Sequence, residues 1–243
     1  MLVSHRRRFI YTKTIKTAGT SVEGYFEPYC MAEGSWRASH MRPQHVSPEG
    51  IVGFRGHLPP WPFRPRWYNH MSARRIRALL GPRVWNDYFK FTVVRNPFDK
   101  LVSGYHFLSS AVGRPTWMAR LRSSVGRGGV GVQPAPGCDD GTKIANFRSW
   151  VHAGGSMLDR DKYMIDGVVC VDDFIRFESL SDDIARVCHR LEVPFEPDRI
   201  PTYKMGIRHR HIPLREYYDE STAAIVRRLY AWEIDQFGYE LPS

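Results

Sequence analysis

The stretch YTKTIKTAGTSVEGYF, residues 11–26, changes character within a few positions. It begins with the alternation of a β-strand, turns at KTAGTS (residues 16–21), and continues with the apolar spacing of a helix. A strand, a tight loop and a helix in this order are typical of a phosphate-binding turn, in which backbone N–H groups and the helix N-terminus face the anion. The alternative that these residues leave open is an ordinary helix start beside a solvated lysine.

The residue types of this loop suit an anion. Gly19 allows a ligand to approach the backbone closely, and Thr20 and Ser21 can donate hydrogen bonds. Lys16 supplies a positive charge. A Walker A loop needs G-x-x-x-x-G-K-[ST], whereas here the lysine precedes the glycine, so an ordinary P-loop nucleoside triphosphatase is disfavoured. The candidate binding residues of the loop are Lys16, Thr17, Ala18, Gly19, Thr20 and Ser21.

A second stretch, VVRNPFDKLVSGYHF (residues 93–107), also combines a strand end with a helix start. Arg95 closes a segment rich in aromatic and β-branched residues, which predicts a buried strand. Pro97 suits the first turn of a helix, and Ser103 falls near its second turn. An arginine and a serine so placed can hold one phosphate together. Alternatively, they are a surface arginine and an indifferent helical serine.

Strand-like and helix-like segments alternate along the chain, which predicts an α/β fold with a central, mostly parallel sheet flanked by helices. Ligands of such sheets bind at the carboxyl ends of the strands, where both stretches lie. Gly81 should close a helix over residues 72–81, and Ser221 or Thr222 should cap the last helix. We expect a single domain over residues 1–243, with a mobile loop at the Gly- and Pro-rich residues 122–142.

Composition limits the function classes. Of the 243 residues, 42% are hydrophobic, which is enough for a substantial core. The net charge of +10 favours an anionic partner, such as nucleic acid, anionic lipid, acidic polysaccharide or a polyphosphorylated cofactor. The four cysteines and ten histidines lack ligand spacing, so we expect no disulfide framework and no metal site. Without a long apolar run, we expect a cytoplasmic protein with no transmembrane segment.

Together, KTAGTS, FRGHLPP (residues 54–60) and VVRNPFDKLVSGYHF resemble motifs of the sulfotransferase superfamily that uses 3′-phosphoadenosine 5′-phosphosulfate (PAPS). The likeness is closest to the branch of heparan sulfate 2-O-sulfotransferases and bacterial carbohydrate sulfotransferases, and it covers most of the chain. One departure is Ile15, where the family usually has proline.

This resemblance implies a P-loop-like three-layer fold and sulfuryl transfer from PAPS to an acceptor hydroxyl, with carbohydrate as the favoured acceptor class. The loop of residues 16–21 would bind the 5′-phosphosulfate, and Arg95 with Ser103 the 3′-phosphate. Lys16 would stabilise charge on the leaving oxygen, and His57 would be the general base. His106, within the second stretch, is a weaker candidate for the base, because its helical spacing near aromatic residues favours a packing role.

Two other functions compete with this interpretation. A nucleotide-dependent kinase is disfavoured by the absence of G-K-[ST] and of a clear magnesium-binding aspartate after a strand. A nucleic-acid or polyanion binder would use the net charge, but no RRM, KH or zinc-finger signature occurs. The sequence leaves open the acceptor's identity and the oligomeric state. It also leaves open whether the basic residues 203–218 cover the nucleotide or bind the acceptor.

Overall fold

The computed structural model describes residues 1–56, 59, 62, 64–109, 139–201 and 212–242. The chain divides into two compact units. The first comprises Met1–Val94 and Asp159–Tyr203, and the second comprises Arg95–Leu158 and Lys204–Ser243. The single domain over residues 1–243 stays a prediction.

Every strand of the described residues belongs to the first unit. They are β1 (Leu2–Ser4), β2 (Phe9–Tyr11), β3 (His45–Ser47), β4 (Gly50–Val52), β5 (Phe89–Val94), β6 (Met164–Ile165), β7 (Val168–Val169) and β8 (Asp173–Arg176). β6 and β7 form a separate hairpin, and the other six form one sheet in the order β3-β4-β1-β2-β5-β8.

The sheet is mixed. β2, β5 and β8 are parallel neighbours, whereas β1 pairs antiparallel with β2 and β4, and β3 pairs antiparallel with β4. Only residues 5–8 connect β1 to β2, and residues 48–49 connect β3 to β4. Such short links permit antiparallel pairing alone, because a parallel crossover needs a dozen or more residues.

The described residues form seven α-helices. They are α1 (Gly19–Phe26), α2 (Ala73–Asp87), α3 (Pro97–Ser109), α4 (Asp140–His152), α5 (Leu180–Arg190), α6 (Glu220–Leu229) and α7 (Ala231–Phe237). α2 is interrupted at Gly81, which has a φ of 78° and is followed by Pro82. The predicted helix end at Gly81 is therefore confirmed.

Side chains alternate between the two faces of the sheet along the short strands, and each face is covered by a hydrophobic core. Phe9 and Tyr11 of β2 pack in one core with residues of α1 and α5, such as Val22 and Ile184. Ile10, between them, packs in a second core with residues of α2. The first unit is therefore a three-layer arrangement of helices, sheet and helix, and the predicted α/β class is confirmed.

The second unit is helical, and its core is rich in aromatic residues. Tyr218 Oη, for example, donates a hydrogen bond of 2.8 Å to the carbonyl oxygen of Phe98. Residues 110–138, which hold most of the predicted mobile loop, lie outside the described residues. Residues 140–142 form the first turn of α4, capped by Asp139.

The cap of α6 differs from the prediction. Asp219 caps this helix, rather than Ser221 or Thr222. The Asp219 side chain accepts from the backbone N–H of Thr222, and the Thr222 hydroxyl accepts from the Asp219 N–H. The carboxylate accepts from side chains as well, because the hydroxyls of Ser221 and Thr222 both lie 2.8 Å from Asp219 Oδ1.

Gly50 of β4 gives a test of this packing. A Cβ at Gly50 would lie 2.2 Å from the Val3 carbonyl oxygen and 3.0 Å from the Cys30 backbone. Gly50→Ala should therefore lower the free energy of unfolding by at least about 2 kcal/mol, because backbone atoms must move. Urea unfolding measures this. As a control, Gly141→Ala should change it by less than about 1 kcal/mol, because Gly141 is exposed in the first turn of α4 and a Cβ there meets only the Asp139 side chain, at 3.0 Å. Equal effects would contradict the strand packing.

Candidate active site

The KTAGTS loop lies at the carboxyl edge of the sheet, as predicted. β2 and β5 are parallel, so the loop after β2 starts at the edge where β5 ends with Val94. The backbone N–H of Thr12 donates to the Phe91 carbonyl oxygen over 3.1 Å and prolongs this pairing toward the loop. β4 runs in the same direction as β2, because two antiparallel pairings separate them. The segment that contains Gly53–Gly56 therefore leaves the sheet at this edge too.

The loop has a strained backbone. Lys16 has a φ of 61° and Ala18 a φ of 58°, in the left-handed region that non-glycine residues rarely adopt. Each such residue costs on the order of 1–3 kcal/mol, and structures keep this strain mostly at functional sites. A hydrogen bond next to the loop helps to hold this shape: the backbone N–H of Ile15 donates to Asp159 Oδ2 over 2.6 Å.

Thr14 and Thr17 fix the loop to the sheet. Thr14 Oγ1 lies 2.5 Å from the Val93 carbonyl oxygen and 2.7 Å from Thr17 Oγ1. A carbonyl can only accept, so Thr14 donates to Val93 and Thr17 donates to Thr14. The hydroxyl proton of Thr17 is therefore used inside the loop, and Thr17 faces an anion only with its backbone N–H.

The N-terminus of α1 has no side-chain cap. Its N-cap residue is Ala18, whose carbonyl oxygen accepts from the N–H groups of Ser21 (2.8 Å) and Val22 (3.3 Å). In the described ranges, no acceptor is bonded to the backbone N–H groups of Thr17, Ala18, Gly19 or Thr20. Such donors at a positive helix end form an anion-binding site.

Gly19 is required for packing. A Cβ at this position would lie 3.0 Å from both Tyr11 Oη and Lys13 Cγ. The glycine therefore lets the helix start close against β2, in addition to the approach of a ligand that the sequence suggested.

Lys13, which the sequence did not single out, contacts this helix start. The side chain is buried, and Nζ donates to Thr20 Oγ1 over 3.1 Å and to Glu23 Oε2 over 2.5 Å. Because the Thr20 oxygen accepts from an ammonium, its own proton is directed elsewhere. Thr20 can therefore donate to a ligand.

Glu23 and Glu27 form a buried ionic cluster on α1 and just after it. Arg55 Nη1 lies 3.0 Å from Glu23 Oε2 and also bonds Glu27, while the amino group of Met1 bonds Glu23. Burial alone would raise the pKa of Glu23, but the nearby positive charges, Lys13 foremost, hold that pKa well below its usual range. Arg55 belongs to FRGHLPP, so the cluster ties that segment to the helix of the KTAGTS loop.

Two predicted parts of the site cannot be placed. His57, the predicted base, lies outside the described residues, and so do residues 202–211 of the basic segment. His70 is a histidine that the sequence analysis missed. Its Nδ1 lies 3.2 Å from the Lys13 carbonyl oxygen, so Nδ1 carries the proton. Burial, and next the charge of Lys13, lowers the pKa of His70 to about 3, which keeps this ring neutral.

Arg95, in the second unit, is oriented by a carboxylate. Its Nε and Nη2 donate to Asp99 Oδ2 over 2.9 and 2.5 Å. Asn96 caps α3 by accepting from the Phe98 N–H over 3.0 Å. Ser103 lies half-buried in the second turn of this helix. The predicted strand end, helix start and serine position are confirmed, and Asp99 is an additional residue that holds the arginine.

His106 has a structural environment in the same unit. The ring is buried, and Nε2 lies 2.7 Å from Tyr217 Oη. It packs edge to face against the rings of Tyr105 and Tyr217. This supports a packing role rather than a role as the base.

Comparison with known families gives the class of this chain. The family model described as Sulfotransferase family matches residues 1–240. The chain belongs to the sulfotransferase family. Comparisons of this sulfotransferase with curated proteins and with solved structures gave no match.

Two further findings concern only the described residues of this sulfotransferase. No helix among them is long and apolar enough to cross a membrane. Nor do three or more histidine, cysteine, aspartate or glutamate side chains come together there in a group that could hold a metal ion.

The ionic cluster gives a test of stability. Glu23→Gln should lower the free energy of unfolding at neutral pH by about 3–5 kcal/mol, because Lys13 and Arg55 lose a buried carboxylate. The pKa of Glu23 is lowered in the folded protein, so its contribution is complete above the usual glutamate pKa of about 4.3. Below that, the contribution should fall by about 1.4 kcal/mol per pH unit. Urea unfolding of parent and variant between pH 7 and 3 measures both effects.

Glu220→Gln is the matched control. Glu220 is 80% exposed and pairs with Arg227 over 2.8 Å, so its loss should cost less than about 1 kcal/mol. A Glu23→Gln variant as stable as Glu220→Gln would show that the buried cluster adds nothing to stability.

Proposed function

We propose that this sulfotransferase transfers a sulfuryl group from PAPS to a carbohydrate hydroxyl. The observation that carries the proposal is the start of α1, where a strained loop that contains Lys16 precedes an uncapped helix, and the described residues offer no acceptor to its first backbone N–H groups. This arrangement suits a phosphosulfate, and it occurs without the G-K-[ST] sequence of nucleoside triphosphatases.

The KTAGTS loop would hold the 5′-phosphosulfate. The backbone N–H groups of Thr17, Ala18, Gly19 and Thr20 would donate to its oxygens, joined by the hydroxyls of Thr20 and Ser21. Lys16 would add a positive charge. Thr17 would contribute through its backbone, because its hydroxyl proton is directed to Thr14.

Arg95 and Ser103 would hold the 3′-phosphate. Support comes from the bonds of Arg95 to Asp99, which fix the plane of the guanidinium group. A guanidinium has five N–H donors in a rigid fork, so an arginine that binds a carboxylate on one side can bind a second oxyanion, such as a phosphate, on another. Ser103 stands on the helix that starts directly after this arginine.

Bound PAPS supplies the sulfuryl group and a leaving oxygen on which charge builds in a loose, in-line transition state, as in phosphoryl transfer. Lys16 and the loop N–H groups would stabilise that charge, and loss of one such donor typically costs about 10²–10³ in rate. His57 would take the proton of the acceptor hydroxyl, which is worth roughly 10²–10⁴. The positive charge comes from side chains, so the proposal includes no metal.

The acceptor class and the location belong to the same proposal. Carbohydrate is favoured because KTAGTS, FRGHLPP and VVRNPFDKLVSGYHF resemble motifs of heparan sulfate 2-O-sulfotransferases and bacterial carbohydrate sulfotransferases. We place the protein in the cytoplasm, with no nucleic-acid partner.

Calorimetric titration with adenosine 3′,5′-bisphosphate tests donor binding. The parent protein should bind this nucleotide, and Arg95→Ala should weaken binding by more than about tenfold, because a charge-assisted contact to phosphate is lost. Arg227→Ala, an exposed arginine of the same unit, should leave the affinity unchanged. His57→Ala should keep the affinity and lose sulfuryl transfer in an acceptor screen.

Thermal shifts separate the competing functions. Adenosine 3′,5′-bisphosphate should raise the melting temperature, whereas ATP with magnesium would do so for a kinase and oligonucleotides for a nucleic-acid binder. The absence of both binding heat and a thermal shift with adenosine 3′,5′-bisphosphate would refute the proposal.

A double-mutant cycle tests how Lys13 acts on the site. Lys13→Met and Thr20→Val should each weaken adenosine 3′,5′-bisphosphate binding. In the Thr20→Val background, Lys13→Met should have little further effect on affinity, because Lys13 contacts the loop through Thr20, while the ion pair with Glu23 is lost in both backgrounds alike. Lys13→Arg is the conservative variant and should restore part of the affinity. Additive losses of affinity in the cycle would refute the positioning role of Lys13.

A further inference from the structure

An open groove lies at the amino ends of β2, β5 and β8, within the first unit. Its cavity volume is about 890 Å³, and its walls are the turn of residues 6–8, the starts of β5 and β8, and the ends of α2 and α5. The KTAGTS loop follows the opposite end of β2. The six residues of β5 span about 20 Å, so the groove is separate from the candidate active site.

The groove carries excess positive charge. Six lysine or arginine residues and four aspartate or glutamate residues line it. Three of the four carboxylates are already engaged: Asp87 with Arg8, Asp172 with Lys90, and Asp173 with Arg186. In the described part of the chain, the other three arginines have no carboxylate within salt-bridge distance. These are Arg6, Arg7 and Arg190.

These three arginines are held by contacts that leave most of their donors unused. Arg6 Nη2 donates to the Pro28 carbonyl oxygen over 2.7 Å, and Arg7 Nη1 to that of Glu192 over 3.4 Å. The Arg190 guanidinium lies 5.6 Å from the centre of the Phe89 ring. A guanidinium can donate two N–H groups at once to a pair of sulfate or carboxylate oxygens, so these exposed side chains suit an anionic ligand.

The aromatic rings of the groove narrow the ligand class. Arg190 covers a face of Phe89, and Arg8 lies 5.7 Å from the centre of the Tyr88 ring. Proteins that bind single-stranded nucleic acids stack bases on such rings. Here guanidinium groups lie over the rings of Tyr88 and Phe89, so the groove presents positive charge rather than ring faces for stacking. This favours a polyanion without bases.

The reaction class supplies such a polyanion. Sulfuryl transfer converts a neutral hydroxyl into a sulfate ester, so each turnover adds one negative charge to the product. We propose that the groove binds the sulfated stretch of a polymeric carbohydrate product whose next hydroxyl lies at the transfer site. The proposal rests on the proposed sulfuryl transfer to a carbohydrate, and it adds that the acceptor is a chain long enough to pass from one edge of the sheet to the other.

Binding of a sulfated dextran oligosaccharide to the full chain tests the proposal, with unmodified dextran of equal length and an oligothymidine of equal charge as comparisons. The variant Arg6→Ala/Arg7→Ala/Arg190→Ala should weaken sulfated dextran binding by more than about tenfold. Arg77→Ala/Arg83→Ala/Arg228→Ala removes the same charge from exposed positions outside the groove and should weaken it less than about threefold. Unmodified dextran should not bind.

Equal losses in the two triple variants would overturn the proposal, because binding would then follow net charge alone. Oligothymidine that binds as tightly and loses affinity in the groove variant would also overturn it, in favour of nucleic acid. Titration with adenosine 3′,5′-bisphosphate keeps the two proposals apart. Both triple variants should bind this nucleotide like the parent, and a parent that binds sulfated dextran in the groove but not the nucleotide would refute only the donor site.

Discussion

The buried carboxylate of Glu23 is the constraint on which the first unit depends. It meets Lys13 between β2 and the KTAGTS loop, Arg55 from the segment after β4, and the amino group of Met1 directly before β1. A buried ion costs several kcal/mol in desolvation unless it is paired in good geometry. Helix α1 therefore keeps one position against the sheet, and Thr20 on that helix keeps one orientation.

Much of the fold could be predicted from local patterns in the sequence. The strand, loop and helix at residues 11–26 follow from periodicity and from the small and hydroxylated residues between them. β5 follows from its aromatic and β-branched composition, and the break at Gly81 from glycine and proline side by side. Each of these signals lies within about fifteen residues, where steric and hydrogen-bonding preferences act directly.

Contacts between distant positions could not be predicted in the same way. The antiparallel half of the sheet depends on two very short turns and on which strands meet, and neither has a strong local signal. Arg55 and His70 join the site through partners 32 and 57 positions away. Asp99 is the exception, because it follows Arg95 by four positions, a spacing from which an ion pair at a helix start can be predicted.

Ala18, the N-cap residue of α1, leaves this helix less stable than a capping side chain would make it. Serine or aspartate at such a position accepts a hydrogen bond from the first turn and typically stabilises a helix by about 1 kcal/mol. Alanine accepts none, so the first turn of α1 is left incomplete. A residue that completed it would make the protein more stable and would occupy N–H groups that the proposed donor would use. In the proposed function, the stability that α1 lacks at its start would be supplied by the bound donor, so the helix would be more stable in the complex than in the free protein.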